Sequence, residues 1–108
     1  MKQTSCKLFV PALFAWMASV ASAGPDSARQ DELLYLLKHD CGSCHGMTRK
    51  GGLGPALLPG NLRERPPELL VATVLDGRPG TPMPPWRGQL TEAEAQWLVE
   101  VLRAGEGL

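Results

Sequence analysis

Five consecutive residues, Cys41-Gly42-Ser43-Cys44-His45, constrain this 108-residue chain more than any other feature of its sequence. Two thiols three residues apart, followed directly by a histidine, form the pattern to which haem c is attached. At a helix start, both thiols would lie on one side of the turn, and each could form a thioether with a vinyl group of the porphyrin. The motif therefore predicts one covalently bound haem c on Cys41 and Cys44, with His45 as the proximal iron ligand.

The first 23 residues have the composition of a secretory signal peptide. Two lysines supply a positive start, an apolar run covers residues 8–20, and the Ala-Ser-Ala sequence at residues 21–23 matches a cleavage site. The apolar run is shorter than the roughly 20 residues that span a bilayer. We expect cleavage after residue 23, export to the periplasm, and a soluble domain at residues 24–108 without a membrane anchor. An uncleaved anchor is the alternative.

Three other uses of the cysteines compete with haem attachment. A zinc site needs more ligands, but residues 24–108 hold no further cysteine and only His39 besides His45. A thioredoxin-like redox pair needs a βαβ context, which a chain without isoleucine or phenylalanine in residues 24–108 does not suggest. A structural disulfide is the third alternative. Haem attachment is preferred, because haem c is attached outside the cytoplasm and the chain carries an export signal.

The composition of residues 24–108 predicts an all-α domain with a thin core. Only four valines are present, which disfavours a sheet, and a domain this small usually needs a covalent staple. A first helix is predicted at about residues 28–40, with Ser27 and Gln30 as its capping box. A short middle helix follows Pro66-Pro67 and stops at Gly77. The last helix follows the capping box of Thr91 and Glu94 and ends at Gly105.

The chain between the first and last helices is dominated by loops. Residues 46–88 contain 8 glycines and 8 prolines, yet also hold well-spaced apolar side chains that a linker would not need. These apolar residues are Leu53, Leu57, Leu58, Met83 and Trp86. The pattern predicts loops and a short helix that wrap around a bound apolar group.

A second iron ligand would have to come from Met47, Met83 or His39. Met47 and His39 lie two and six residues from His45, too close along the chain to reach the opposite face of the ring. Met83 lies in Thr81-Pro82-Met83-Pro84-Pro85-Trp86, where three prolines restrict the backbone. A lone methionine is more often core filler, but a polar, proline-rich loop is a poor place for one. We therefore predict Met83 as the distal ligand and place His39 at the solvent or the haem edge.

Three motifs occur in a recognisable order: C-G-S-C-H at residues 41–45, G-L-G-P-A-L at 52–57 and P-M-P-P-W at 82–86. Together with the capped last helix they resemble the class I monohaem cytochromes c over the whole of residues 24–108. The amino-acid sequence in and around the motifs is also similar to that of the NirC-type cytochromes c that accompany the haem-d-type dissimilatory nitrite reductase. The resemblance implies crossed first and last helices, and a hydrogen bond from the far ring nitrogen of His45 to the Pro55 carbonyl.

The resemblance also implies an electron-transfer protein rather than an enzyme, serving redox protein partners that include nitrite reductase in denitrification. An accessory role in maturation of the haem d cofactor and a haem-based ligand sensor are the alternatives. A net charge of zero excludes a polybasic nucleic-acid binder. Within residues 24–108, net positive charge is confined to residues 41–87, in a basic cluster that could steer an acidic partner or could be solvated loop charge. The basic cluster consists of Arg49, Lys50, Arg63, Arg65, Arg78 and Arg87.

Overall fold

The computed structural model describes residue 8 and residues 24–105, so the predicted signal peptide lies outside the described residues apart from residue 8. Within these ranges the chain is helical and contains no strand, which confirms the all-α prediction. None of the described helices is both long and apolar enough to cross a bilayer. The helices are α1 (Ser27–Leu36), a π-helical turn (Leu37–Cys41), α2 (Gly42–His45), α3 (Pro59–Leu62), α4 (Pro67–Asp76) and α5 (Glu92–Ala104).

The core is a small set of aliphatic side chains at the contact between the first and last helices and α4. Leu33 and Leu37 are 0% and 1% exposed, and α5 packs against α1, α3 and α4. The sequence predicts an apolar α5 face of Ala93, Trp97, Leu98, Val101 and Leu102. Leu98 and Leu102 are buried as predicted, whereas the other three are only half-buried, and Ala95 and Val99 are buried as well. The buried apolar residues are Leu33, Leu37, Leu62, Val71, Leu75, Leu90, Ala95, Leu98, Val99 and Leu102.

The two predicted capping boxes have different outcomes. At α5, Thr91 Oγ1 accepts from the Glu94 backbone N–H at 3.1 Å, and Glu94 Oε2 accepts from the Thr91 N–H at 2.9 Å, as predicted. At α1 the prediction is wrong, because Asp26 is the cap and accepts from a backbone N–H at 2.9 Å. Ser27 is already the first helical residue. A carboxylate one residue earlier satisfies the free N–H groups of the first turn equally well.

An ion pair ties the first helix to the last one. Arg29 Nε donates to Glu94 Oε1 at 2.8 Å, and Arg29 Nη1 donates to Glu32 Oε2 at 2.7 Å. The bond to Glu94 joins residues that are 65 positions apart in the sequence, whereas the bond to Glu32 is a local contact within α1. The hydrogen bond from Arg29, with a second from the Thr91 N–H, holds the pKa of Glu94 below its usual value.

The helix that carries the Cys-x-x-Cys-His motif contains a π-helical turn just before the motif, at Leu37–Cys41. The prediction placed the motif at a helix start, but it lies at the end of a continuous helical stretch from Ser27 to His45. At 3.6 residues per turn, positions 33, 37 and 41 would drift steadily around an α-helix. A π-helical turn is wider, so each residue advances less around the axis. The π turn thereby returns Cys41 to the side of Leu33 and Leu37, where it packs against the core.

Candidate functional site

The ring of His45 is fixed by a loop that folds back beneath the motif. Its Nδ1 lies 2.7 Å from the carbonyl oxygen of Pro55, the pair that the sequence resemblance implies. A carbonyl oxygen can only accept a hydrogen bond, so Nδ1 carries the proton. The other ring nitrogen, Nε2, then keeps a free lone pair in the neutral imidazole. This is the form in which histidine ligates a metal.

The same loop donates hydrogen bonds to the carbonyl groups at the end of α2, which we call the motif helix. Gly54 N–H donates to the Cys44 carbonyl at 2.8 Å, and Gly51 N–H donates to the His45 carbonyl at 2.8 Å. These carbonyls have no partner inside the helix, because a helix leaves its last carbonyls free. A Cβ at Gly54 would lie 2.7 Å from Nδ1 and Cε1 of His45. The roles of Gly51 and Gly54 were not predicted, although the run Gly51-Gly52-Leu53-Gly54 was the available signal.

The two cysteines of the motif are half-buried, and their thiols are free. Burial, reinforced by the carboxylate of Asp40, raises the pKa of the Cys41 thiol to about 11. A thioether has no ionisable proton, so this burial carries no ionisation penalty once Cys41 is alkylated. Within the described ranges, no three His, Cys, Asp or Glu side chains are placed together as metal ligands, so the donors that a zinc site needs are not assembled.

Met83 lies in a loop that is closed on the end of α4. Its backbone N–H donates to Thr81 Oγ1 at 3.3 Å, and its carbonyl accepts from the Arg78 N–H at 3.2 Å. The far end of the loop returns to the same helix, because the Trp86 N–H donates to the Leu75 carbonyl at 3.1 Å. The side chain of Met83 is half-buried. The loop therefore holds the Met83 backbone at both its donor and its acceptor.

The two rejected ligand candidates lie on the surface. His39 is exposed and its ring contacts that of Tyr35, with centroids 4.2 Å apart and planes tilted by 40°, as residues one helical turn apart can do. Met47 is 48% exposed, and a Cβ at Gly42 would come within 3.3 Å of its sulfur. These positions agree with the solvent-side placement expected for His39.

The basic cluster is not uniform. Arg87 forms an ion pair with Asp76 at 2.8 Å, and this pairing lowers the pKa of Asp76. Among the described residues, no ion pair forms to the other five members of the cluster. Arg87 is thus a local link between α4 and the Met83 loop, and its charge is already compensated.

A groove between α4 and α5 is separate from these residues. Its floor is formed by Val71, Leu75 and Val99, and Glu68 and Glu100 lie at its rim. None of the predicted haem residues lines it. The site that matters for the predicted chemistry is therefore the motif helix with its two loops.

The described residues fit a covalently attached haem c. The motif offers two free thiols, an imidazole whose Nδ1 proton is held by Pro55, and a thioether sulfur on a braced loop. Cys41 and Cys44 would form the thioethers, and His45 and Met83 would supply a nitrogen and a sulfur to the iron.

Comparison with known proteins adds independent evidence. The sequence profile of the family described as Cytochrome C oxidase, cbb3-type, subunit III matches residues 28–101. Cytochrome c55X from Pseudomonas aeruginosa is 58% identical over 90 residues, which cover 83% of this chain and 76% of that protein. A solved structure of the c-type cytochrome NirC is 61% identical with a TM-score of 0.75, covering 76% of this chain and 96% of that chain.

A larger protein shares the same fold over a small part of its length. The structure of the dihydro-heme d1 dehydrogenase NirN in complex with DHE is 41% identical with a TM-score of 0.60. The alignment covers 65% of this chain but only 15% of that chain.

A helical fold with a Cys-x-x-Cys-His motif and a histidine held by a loop carbonyl has the features of a c-type cytochrome. The chain belongs to the cytochrome c family, as a monohaem member related to NirC.

Proposed function

We propose that the protein is an exported, periplasmic one-electron carrier and not an enzyme. It would hold one haem c through thioethers to Cys41 and Cys44, with His45 and Met83 as the axial iron ligands. The observation that carries the proposal is the 2.7 Å contact between His45 Nδ1 and the Pro55 carbonyl, because it leaves Nε2 free to act as a donor. A haem bound in this way exchanges one electron between its ferric and ferrous states.

The chain's own residues then have defined tasks. Pro55 holds the proton at Nδ1 of His45, which fixes the ring orientation and makes the imidazole a stronger donor. Met83 would present a soft thioether to the iron, which would favour the ferrous state and raise the potential. If His45 and Met83 both held the iron, no position would be left for a substrate, and electron transfer would be the chemistry that the haem supplies.

Mass spectrometry of the periplasmic protein tests attachment and export together. The mature chain should begin at residue 24 and carry the mass of one haem. Cys41→Ala and Cys44→Ala should each lower the amount of haem-bearing protein, whereas Ser43→Ala, between them, should not. A chain that begins at residue 1 without haem would contradict both parts of the proposal.

Iron ligation by Met83 is tested by Met83→Ala, with Met47→Ala as the matched control on an exposed methionine. Loss of the thioether should abolish the weak red-region absorption band of the oxidised protein and lower the potential. The Met47 variant should keep both. A Met83→Ala protein with an unchanged spectrum would assign the distal position to another residue. Strong carbon monoxide binding by the reduced wild type would favour the ligand-sensor alternative.

The partner that we propose is the haem-d-type nitrite reductase. Support comes from the similarity to NirC and from the five members of the basic cluster that form no ion pair among the described residues. Stopped-flow mixing of the reduced protein with oxidised nitrite reductase should show electron transfer at a rate that rises with protein concentration. Absence of transfer to purified, active reductase would remove this partner.

A second candidate is an accessory role in making haem d1, favoured by the similarity to part of NirN. The alignment leaves most of NirN unmatched, so this chain would not itself perform the dehydrogenation. Removal of two hydrogens from a dihydro-haem releases two electrons and two protons, so a carrier with one haem would have to accept electrons twice. Reduction of this protein by NirN and dihydro-haem d1, with haem d1 as product, would support this role.

A further inference from the structure

We propose that Thr81 is the positioning residue that keeps the Met83 thioether at the iron. Its hydroxyl donates to the Arg78 carbonyl at 2.7 Å and accepts from the Met83 N–H at 3.3 Å. The hydroxyl therefore connects the start of the loop to the residue that we propose as the distal ligand. The inference rests on the proposed ligation of iron by Met83.

Other contacts also restrict the backbone of Met83, and the Thr81 hydroxyl supplies the remaining restraint. Its carbonyl accepts from the Arg78 N–H at 3.2 Å, and its neighbours, Pro82 and Pro84, have fixed φ angles. The Thr81 N–H donates to the same Arg78 carbonyl at 3.0 Å, which closes the turn. Proline has no backbone N–H, so the Met83 N–H is the one backbone hydrogen-bond donor in residues 82–85. The Thr81 hydroxyl oxygen accepts this hydrogen bond.

Loss of the hydroxyl should let the loop open more often. The variant Thr81→Val keeps the shape of the side chain but removes both hydrogen bonds. The Arg78 carbonyl keeps its bond from the Thr81 N–H, so the loss that frees Met83 is that of its N–H bond to the hydroxyl; the net contribution typical of one hydrogen bond predicts that the open fraction rises about fivefold. The side chain of Met83 would then leave the iron more often, although no residue that touches the iron has been changed.

Imidazole binding to the oxidised, haem-bearing protein measures this open fraction. An external ligand can bind only when Met83 has left, so its apparent dissociation constant varies inversely with the open fraction. Thr81→Val should bind imidazole about fivefold more tightly than wild type. Thr81→Ser, which keeps the hydroxyl, should match wild type.

The double variant Thr81→Val/Met83→Ala separates positioning from general loosening. If Thr81 acts through Met83, imidazole should bind the double variant and Met83→Ala with equal affinity. A fivefold effect that persists without Met83 would overturn the proposal, as would wild-type affinity in Thr81→Val alone. Failure of the underlying ligation is distinguishable, because Met83→Ala would then keep the red-region band and bind imidazole no more tightly than wild type.

Discussion

Gly54 offers the sharpest test of how the His45 ring is held. A methyl group at this position would lie 2.7 Å from Nδ1 and Cε1 and 3.2 Å from Nε2 of His45. Atoms of this kind rest about 3.5–4.0 Å apart, so the ring or the loop has to move by roughly 1 Å. The loop resists, because the Gly54 N–H is bonded to the Cys44 carbonyl at 2.8 Å. Overpacking of this kind costs about 1–3 kcal/mol.

Movement of the ring would also strain the bond from His45 Nδ1 to Pro55. Loss of that bond should make the imidazole a weaker donor and stabilise the ferric state less, so the potential of Gly54→Ala should rise. Urea unfolding of the haem-bearing protein measures the stability, and redox titration measures the potential. Equal stability and an unchanged potential in Gly54→Ala and wild type would refute the reasoning.

Gly60→Ala is the matched control for this substitution. Gly60 lies in α3, and a Cβ there would meet no atom within 4 Å. Its backbone needs no left-handed conformation, so the change should leave stability unaltered or raise it by up to about 1 kcal/mol. Destabilisation of Gly60→Ala as large as that of Gly54→Ala would show that the clash with His45 is not the cause.

Three further outcomes are expected. Leu33→Ala, at a fully buried position on α1, should lower the free energy of unfolding by about 2–5 kcal/mol in urea titrations, whereas a loss below about 1 kcal/mol would place Leu33 outside the core. Because the folded-state pKa of Glu94 is lowered, its stabilisation is present above its ordinary value of 4.5 and is lost as the pH falls through the folded-state value. Glu94→Gln should therefore be less stable than wild type at neutral pH, and thermal melts should show the gap narrowing below pH 4.5; a gap that stays constant would contradict the ion pair. Arg63→Ala/Arg65→Ala should slow electron transfer to nitrite reductase at low salt and converge with wild type at high salt, because ions screen attraction beyond about 8 Å at physiological strength, whereas Arg87→Ala should change the rate little. Rates independent of ionic strength would indicate an apolar docking surface.

Features that depend on a few neighbouring residues were determined by the sequence itself. The capping box of α5 joins residues three apart, so Thr91 and Glu94 suffice to form it wherever the helix packs. The two prolines at the start of α4, Pro66 as its cap and Pro67 as its first residue, and Gly105 after α5 act through their own backbone preferences in the same way. The Cys-x-x-Cys-His motif belongs to this group, because its spacing alone brings the thiols and the imidazole onto adjacent turns.

Other features were decided by which surfaces meet in the folded chain. Asp26 and Ser27 are both good caps, and the sequence favoured the wrong one, because their intrinsic preferences differ too little to decide which residue begins α1. The burial of Ala95 and Val99 depends on the helices placed against α5, which no local pattern records.

The contacts that hold the candidate site are of the same kind. Arg29 and Glu94 are 65 residues apart, and Arg87 meets Asp76 only because the Met83 loop returns to α4. The π turn before Cys41 is the clearest case: the sequence determined that a haem motif follows a helix of leucines. Only the tertiary structure showed that the chain passes through a wider π turn before the motif, with Cys41 packed against the core on the side of Leu33 and Leu37.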